Sequence, residues 1–440
     1  MTAFWAPLAV LFSGLFIGLA SGLPMAFTLG SSAMITTFFF WGPNALYSAG
    51  TSVYGMMRNL VLIAMPLFIL MAAVLEKSGI ADALYDAMSQ WMGPLRGGLA
   101  IATVMICTVI AAMSGVTTAG TVTMGLIALP VMLRKGYDKT IAIGGILAGG
   151  ALGILIPPSV SFVIYGMLTR TSIGSLFAGG LIPGLILSFF YMTFIGIRAF
   201  LKPHLGPPVP KEERLPFRQK LVLSRGLILP ILLIIAVLGS IFGGIASPTE
   251  SAAVGAAGAI ICAAINRRFS WKMLKEATYR TFAVNGMIMW ILFGAICYAN
   301  VFVATGGPDL VRKTMLGMDV PPLLIIFFMQ ITYFILGCFV DEITILFITI
   351  PVYMPILTAL GFNPIWFGVL FMVNMQMAYL TPPFGFTLFY MRGVAPPQVT
   401  MMDIYRSVLP FVALQWIGLS LVLFFPQLAL WLPNVVFGLK

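Results

Sequence analysis

Long apolar runs recur from one end of this 440-residue chain to the other, and no other feature limits its folding so strongly. A helical run of about 20 apolar residues matches the hydrocarbon thickness of a bilayer. Inside that layer every backbone N–H and C=O must find a partner within the protein, so only helices and closed barrels can span it. The alternation of barrel strands is absent here, which leaves a helix bundle. Composition agrees: 60% of residues are hydrophobic and 8% charged, against roughly a half and a quarter in soluble domains. A soluble enzyme, a disordered chain and a nucleic-acid binder are excluded. The fold class is an all-α polytopic membrane protein.

Ten spans are expected, over 5–20, 24–41, 59–76, 140–168, 177–197, 226–245, 250–266, 281–303, 363–391 and 407–431. The stretches 99–133 and 321–358 are interrupted near their middles, and each half is short for a crossing. They read as re-entrant hairpins, although periodicity alone does not separate a hairpin from a pair of short spans. With both termini outside, 19 Lys and Arg residues fall inside and 5 outside, the bias that sets membrane orientation. The net charge of +11 is therefore a topology signal. Cys107, Cys262, Cys297 and Cys338 are scattered without a CxxC pair, and His204 is the one histidine, in a basic loop. These exclude a disulfide framework and a transition-metal site as expectations. No P-loop sequence occurs, no organic cofactor is expected, and no basic segment precedes the first apolar run, so a cleaved signal peptide is not expected.

A shift of 225 aligns the two halves. Pro130 meets Pro355, Gly136 meets Gly361, Pro157-Pro158 meets Pro382-Pro383 and Tyr165 meets Tyr390; upstream, a shift of 227 pairs Gly79 with Gly306 and Asp82 with Asp309. The first hairpin is flanked by Arg96 and Arg134 and opens inward. The second follows Arg312 and Lys313 and opens outward. The expected organisation is a first repeat over 1–205 (hairpin 99–133, broken helix 140–168), a cytoplasmic basic linker over 206–225, and a second repeat over 226–440 (hairpin 321–358, broken helix 363–391). Such inverted-topology repeats with broken helices frame midplane sites in many secondary transporters. The segment 79–94 gathers Leu84, Tyr85, Met88, Trp91 and Met92 on one helical face. It fits a surface arm carrying the hairpin, or a plain surface helix.

The chemistry concentrates at four interruptions. Paired prolines donate no N–H and crowd the preceding turn, so the carbonyls before them lose their helical partners. An orphaned carbonyl in hydrocarbon is costly and needs another partner. A dehydrated Na⁺ held at the negative end of a half-helix is one such partner, and the half-helix that restarts aims its N–H groups at an anion. Ser114 and Thr117 at the first tip, with the carbonyls of Gly153 and Ile156, form one expected sodium site. Gly337 at the second tip, with Ala378 and Thr381, forms the other. Thr118, Ser159 and Gly385 are the expected substrate contacts. Each Ser or Thr also has a plainer reading, hydrogen bonding back to its own helix. Asp341 and Glu342, acids inside an apolar stretch, are candidates for an ion or proton role, with helix capping as the alternative for Asp341. Ser247-Pro248-Thr249-Glu250 fits a capping box.

The runs Ile63-Ala64-Met65-Pro66-Leu67-Phe68-Ile69-Leu70-Met71, Met113-Ser114-Gly115, Gly153-Ile154-Leu155-Ile156-Pro157-Pro158-Ser159, Pro248-Thr249-Glu250 with Ala252-Ala253-Val254-Gly255-Ala256, and Thr381-Pro382-Pro383-Phe384-Gly385 resemble the large membrane subunit of tripartite ATP-independent periplasmic (TRAP) transporters. The resemblance covers nearly the whole chain. It implies a bacterial or archaeal inner-membrane importer, surrounded by phospholipid, that couples Na⁺ to organic-acid uptake. It further implies an elevator in which a mobile transport domain moves against a scaffold. Two partners are implied as well: a small four-helix membrane subunit, expected here as a separate chain, and a periplasmic substrate-binding protein. Many relatives carry Ser-Gly-Ser-Ser at the first tip, where this chain has Ser114-Gly115-Val116-Thr117. Competing readings are a stand-alone sodium/dicarboxylate symporter, a passive anion channel, and a membrane enzyme, the last disfavoured by the lack of clustered catalytic side chains.

Overall fold

The computed structural model of the chain describes residues 2–317, 320–382 and 385–438, and no strand occurs among them. In chain order the helices are α1 (Thr2–Ala20), α2 (Met25–Trp41), α3 (Tyr47–Met57), α4 (Ala64–Lys77), α5 (Ile80–Met92), α6 (Gly98–Ser114), α7 (Thr117–Arg134), α8 (Lys139–Ala151), α9 (Val160–Thr169), α10 (Ile173–Leu201) and α11 (Phe217–Leu223). There follow α12 (Ile228–Ile234) and α13 (Ser240–Phe242), joined through a π-turn, then α14 (Pro248–Ile265), α15 (Trp271–Ala304), α16 (Gly307–Leu316), α17 (Pro322–Gly337), α18 (Glu342–Ala359), α19 (Pro364–Tyr379), α20 (Phe386–Val394), α21 (Met401–Phe424) and α22 (Gln427–Phe437). Eight helical stretches among the described residues are long and apolar enough to cross a membrane.

Two groups of helices emerge from the packing. In one, α4 lies against α14 and α15, and α2 against α1 and α15. In the other, α8 packs on α6, α7 and α21, while α19 packs on α17, α10 and α21. At the centre of the second group every residue of α19 from Ile365 to Tyr379 is buried, as expected of a helix that is apolar all round. In the same group α8 approaches its neighbours closely through glycines: a Cβ on Gly150 would sit 2.1 Å from the Thr121 hydroxyl, and one on Gly144 2.3 Å from the Ser407 carbonyl oxygen. Backbones approach this closely only where side chains are missing.

The two interrupted stretches form helical hairpins, α6–α7 and α17–α18, whose tips turn inside the molecule. The amphipathic segment is α5, with Leu84 and Tyr85 buried and Asp82 and Asp86 exposed. The Ser247 capping box forms as expected, with the Ser247 N–H donating to the Glu250 carboxylate at 2.7 Å.

One expectation needs correction, and two segments carry structure that the sequence did not indicate. The last span does not run unbroken over 407–431: α21 stops at Phe424 and α22 begins at Gln427, because Pro426 brings no N–H to the ladder. After Trp41, a stretch to which the sequence assigned no element, a short 3₁₀ turn leads into α3. The basic segment 206–225 is more than a linker. Its backbone is strapped to the base of the first hairpin, with Gly97 N–H donating to Gly206 O and Val209 N–H to Gly93 O, both at 2.8 Å. An ion pair between Lys135 and Glu213 closes the strap.

Candidate functional site

The first hairpin tip is seated on the first helix break. α6 ends at Ser114, and Gly115 turns the chain with φ +68°, a conformation that suits glycine. A Cβ on Gly115 would lie 2.2 Å from the Pro158 carbonyl oxygen, and one on Gly153 would lie 2.5 Å from the Val116 carbonyl oxygen. Tip and break therefore touch backbone to backbone. α8 stops at Ala151, and after one 3₁₀ turn the N–H groups of Leu155 and Ile156 both donate to the Leu152 carbonyl, at 3.0 and 2.9 Å. The Pro157-Pro158 peptide is cis, and the helix resumes as α9. Ser159 holds the two halves together: its hydroxyl donates to the Ile154 carbonyl at 2.7 Å and accepts the Phe162 N–H at 3.4 Å. In this conformation that hydroxyl is engaged in capping. Ser114 and Thr117 are buried, and the Ser114 hydroxyl leans on the Val116 carbonyl at 3.5 Å.

The second tip repeats the arrangement. A Cβ on Gly337 would lie 2.6 Å from the Ala378 Cβ, so the end of α17 rests on α19 beside its own break. α19 ends at Tyr379. The Thr381 N–H donates to the Ala378 carbonyl at 3.0 Å, its hydroxyl to the Met377 carbonyl at 2.8 Å, and the Thr387 hydroxyl returns to the Tyr379 carbonyl at 2.7 Å. Gly385 begins the restart with φ +39°. Pro383 and Phe384 lie outside the described residues.

Asp341 is the N-cap of α18. It accepts the Thr344 N–H at 3.0 Å and the Thr344 hydroxyl at 2.7 Å. Glu342 faces elsewhere: its carboxylate accepts the Ser161 hydroxyl of α9 at 3.0 Å, and its N–H donates to the Tyr379 hydroxyl at 2.9 Å. The second tip thus joins both broken helices. Ser161, Tyr379 and Thr387 were not singled out in the sequence, although a hydroxyl within four residues of a proline break is a usable signal. Gln376, five residues before Thr381, was missed too. It is fully buried, and neither of its amide atoms has a partner among the described residues.

A hydroxyl that donates to a carbonyl keeps lone pairs, and a carbonyl that accepts one N–H keeps another. The Ser114 and Thr381 hydroxyls, which donate to carbonyls, and the Ala378 carbonyl, which accepts the Thr381 N–H, keep oxygen lone pairs in this way. Among the described residues no group of three or more His, Cys, Asp and Glu side chains is placed to hold a metal.

Comparison with known proteins places the whole chain in a family. Residues 12–428 match the family described as "Tripartite ATP-independent periplasmic transporter, DctM component". The chain is 31% identical, over 95% of each sequence, to the C4-dicarboxylate TRAP transporter large permease protein DctM of Vibrio cholerae. It is 30% identical to the ectoine/5-hydroxyectoine TRAP transporter large permease protein of Ruegeria pomeroyi, over 98% of this chain and 99% of that one. Among solved structures, the YdaH transporter of Alcanivorax borkumensis superposes over 90% of each chain with a TM-score of 0.64 at 18% identity, which shows a shared fold. A near-complete family match on a transporter fold, with two hairpin tips seated by two helix breaks, identifies the chain as a member of the tripartite ATP-independent periplasmic transporter family, in which it is the large, multi-pass membrane permease.

Proposed function

We propose that this permease imports a small organic anion, a carboxylate or a sulfonate, with Na⁺ as the coupling ion and an elevator motion as the mechanism. The observation that carries the reading is the pair of glycine contacts, Gly153 against Val116 and Gly337 against Ala378, that seat each tip at a break. One Na⁺ is assigned to Ser114, Thr117, Gly153 and Ile156, the other to Gly337, Ala378 and Thr381. The anion is assigned to Thr118 in the first turn of α7 and to Gly385 before α20, helix N-termini that favour negative charge. Ser159 positions the first break, and Glu342, held by Ser161, couples the second tip to it. Helices α1, α2, α4, α14 and α15 are the scaffold and the hairpins with α8 to α10 and α19 to α22 the moving body. Both termini are placed in the periplasm. A small membrane subunit and a periplasmic binding protein complete the system, in keeping with the word "tripartite" in the family's description.

Each net charge carried inward gains roughly 2.3 kcal/mol per 100 mV, so two Na⁺ with a monoanion make uptake voltage-driven and with a dianion make it electroneutral. The test is uptake of labelled organic acids into proteoliposomes holding the permease and its small subunit, with the binding protein outside. Uptake that requires both an inward sodium gradient and the binding protein is expected. Flux indifferent to sodium would mean a channel, and sodium-driven uptake without the binding protein would mean a stand-alone symporter.

A further inference from the structure

Val116 and Thr118, partly exposed at the first tip, line a cavity of about 70 Å³ whose other wall holds Glu76 and Arg280. Arg280 of α15 donates to the Glu76 carboxylate of α4 at 2.5 Å, and Lys77 pairs with Glu276 beside it. The tip is thus level with the end of α4. The helix α5 explains how. Its first residues, Ile80 and Ala81, share a second small cavity with Met113 and Ser114 of the tip. Its last, Met92, abuts the hairpin base, where a Cβ on Gly98 would lie 1.8 Å from the Met92 carbonyl oxygen. So α5 runs beside α6 from tip to base, and 13 residues span about 20 Å at helical rise. The base of the hairpin lies about that far beyond the end of α4, on the side of the basic stretch 267–280.

We propose that Arg280 is a scaffold contact for the transported anion, met by the first tip only at this end of its stroke. The proposal rests on the organic-anion reading and deepens it. A planar guanidinium matches carboxylate and sulfonate oxygens with two parallel hydrogen bonds, while the Thr118 hydroxyl supplies a neutral donor from the moving side. Glu76 holds Arg280 oriented when no anion is near, and an arriving anion competes with Glu76 for the same N–H groups. Beyond the pair, residues 267–279 carry four basic side chains and one acid, a field that draws an anion onward. The fixed cation gives this end of the stroke an anion affinity that the moving site does not carry with it.

The test needs no knowledge of the substrate. Thr118→Cys and Val116→Cys serve as two reporters in the assembled complex in nanodiscs, each set against its parent protein, whose four native cysteines are buried. The probes are an anionic sulfonatoethyl and a cationic trimethylammonioethyl methanethiosulfonate. With Arg280 present, the anionic probe is expected to react faster relative to the cationic one, by about tenfold more than in Arg280→Gln; a difference of about 1.4 kcal/mol between the two oppositely charged probes gives that factor. Arg280→Lys restores the ratio. The exchange Glu76→Arg with Arg280→Glu keeps an ion pair between α4 and α15 and guards against a folding defect; it leaves the ratio altered if Arg280 itself meets the anion. A ratio identical in all these backgrounds overturns the proposal and leaves the pair a tie between helices. Uptake by the parent protein, without reporter cysteines, in proteoliposomes separates the two levels. Sodium-driven anion uptake with an Arg280-indifferent ratio sinks the Arg280 assignment alone. An Arg280-dependent ratio in a protein that moves no organic anion with sodium sinks the underlying reading, and this proposal with it.

Discussion

Replacing Gly153 with alanine isolates the contact on which the first sodium site depends. Gly153 is not in the left-handed region, so the substitution carries no backbone penalty and acts through its methyl group alone. That methyl would stand 2.5 Å from the Val116 carbonyl oxygen and 3.1 Å from the Thr117 nitrogen, where contacts below 3.0 Å essentially never occur. The tip must withdraw by about 0.5 Å, the difference between those limits, against atoms that are backbone and cannot swing aside. Forcing a methyl into a filled interior costs about 1–3 kcal/mol. If that cost falls on the ion-bound arrangement of tip and break, the sodium dissociation constant rises about fivefold to 150-fold. The assay is sodium activation of uptake in proteoliposomes, read with the thermal unfolding midpoint of the same preparation. Gly286→Ala on α15, where a Cβ meets nothing within 4 Å, is the control and should be silent. A Gly153→Ala protein that is folded and transports with a superimposable sodium curve would refute the reasoning.

Ser114→Ala and Thr381→Ala each remove one hydroxyl oxygen and should raise the half-saturating sodium concentration, which the same uptake assay reads; unchanged curves in both count against the assigned sites. Asp341→Ala removes the cap of α18 and should cost about 1 kcal/mol of stability, which Asp341→Asn largely recovers because an amide oxygen also caps. If Asp341→Asn recovers the unfolding midpoint but not uptake, Asp341 acts on an ion as well as on the helix end. Glu250→Ala breaks the capping box of α14 and should lower the unfolding midpoint slightly while leaving sodium activation as it was.

The parts of the fold that were legible in the sequence are those where one residue type has one physical consequence. Proline pairs end helices, so the break at 157–158 could be placed within a residue or two, and the turn at Gly115 followed from a polar cluster in an apolar run. The repeat was legible for the same reason, since it was carried by prolines and glycines that set backbone shape. Other features depended on partners distant in the chain. Nothing local in 206–225 indicates that Gly206 and Val209 would bond to the hairpin base. The polar first turns of α15 lie beyond the apolar run that marked the span at 281, so the helix proved longer than its hydrophobic signature. The hydroxyls of Ser161 and Tyr379 became informative only once Glu342 was seen between them. Likewise Arg280 looked like one charge in a basic loop until the first tip was found facing it.

Sodium coupling at this site requires cations on the oxygens that the helix breaks set free. The most direct measurement is a pair of high-resolution density maps of the assembled transporter, one in sodium chloride and one in choline chloride. Density present only in sodium, between Ser114 and the Gly153–Ile156 carbonyls and again between Gly337 and Ala378–Thr381, is the result expected. Bare sites in both maps, from a preparation whose uptake is sodium-driven, would contradict it.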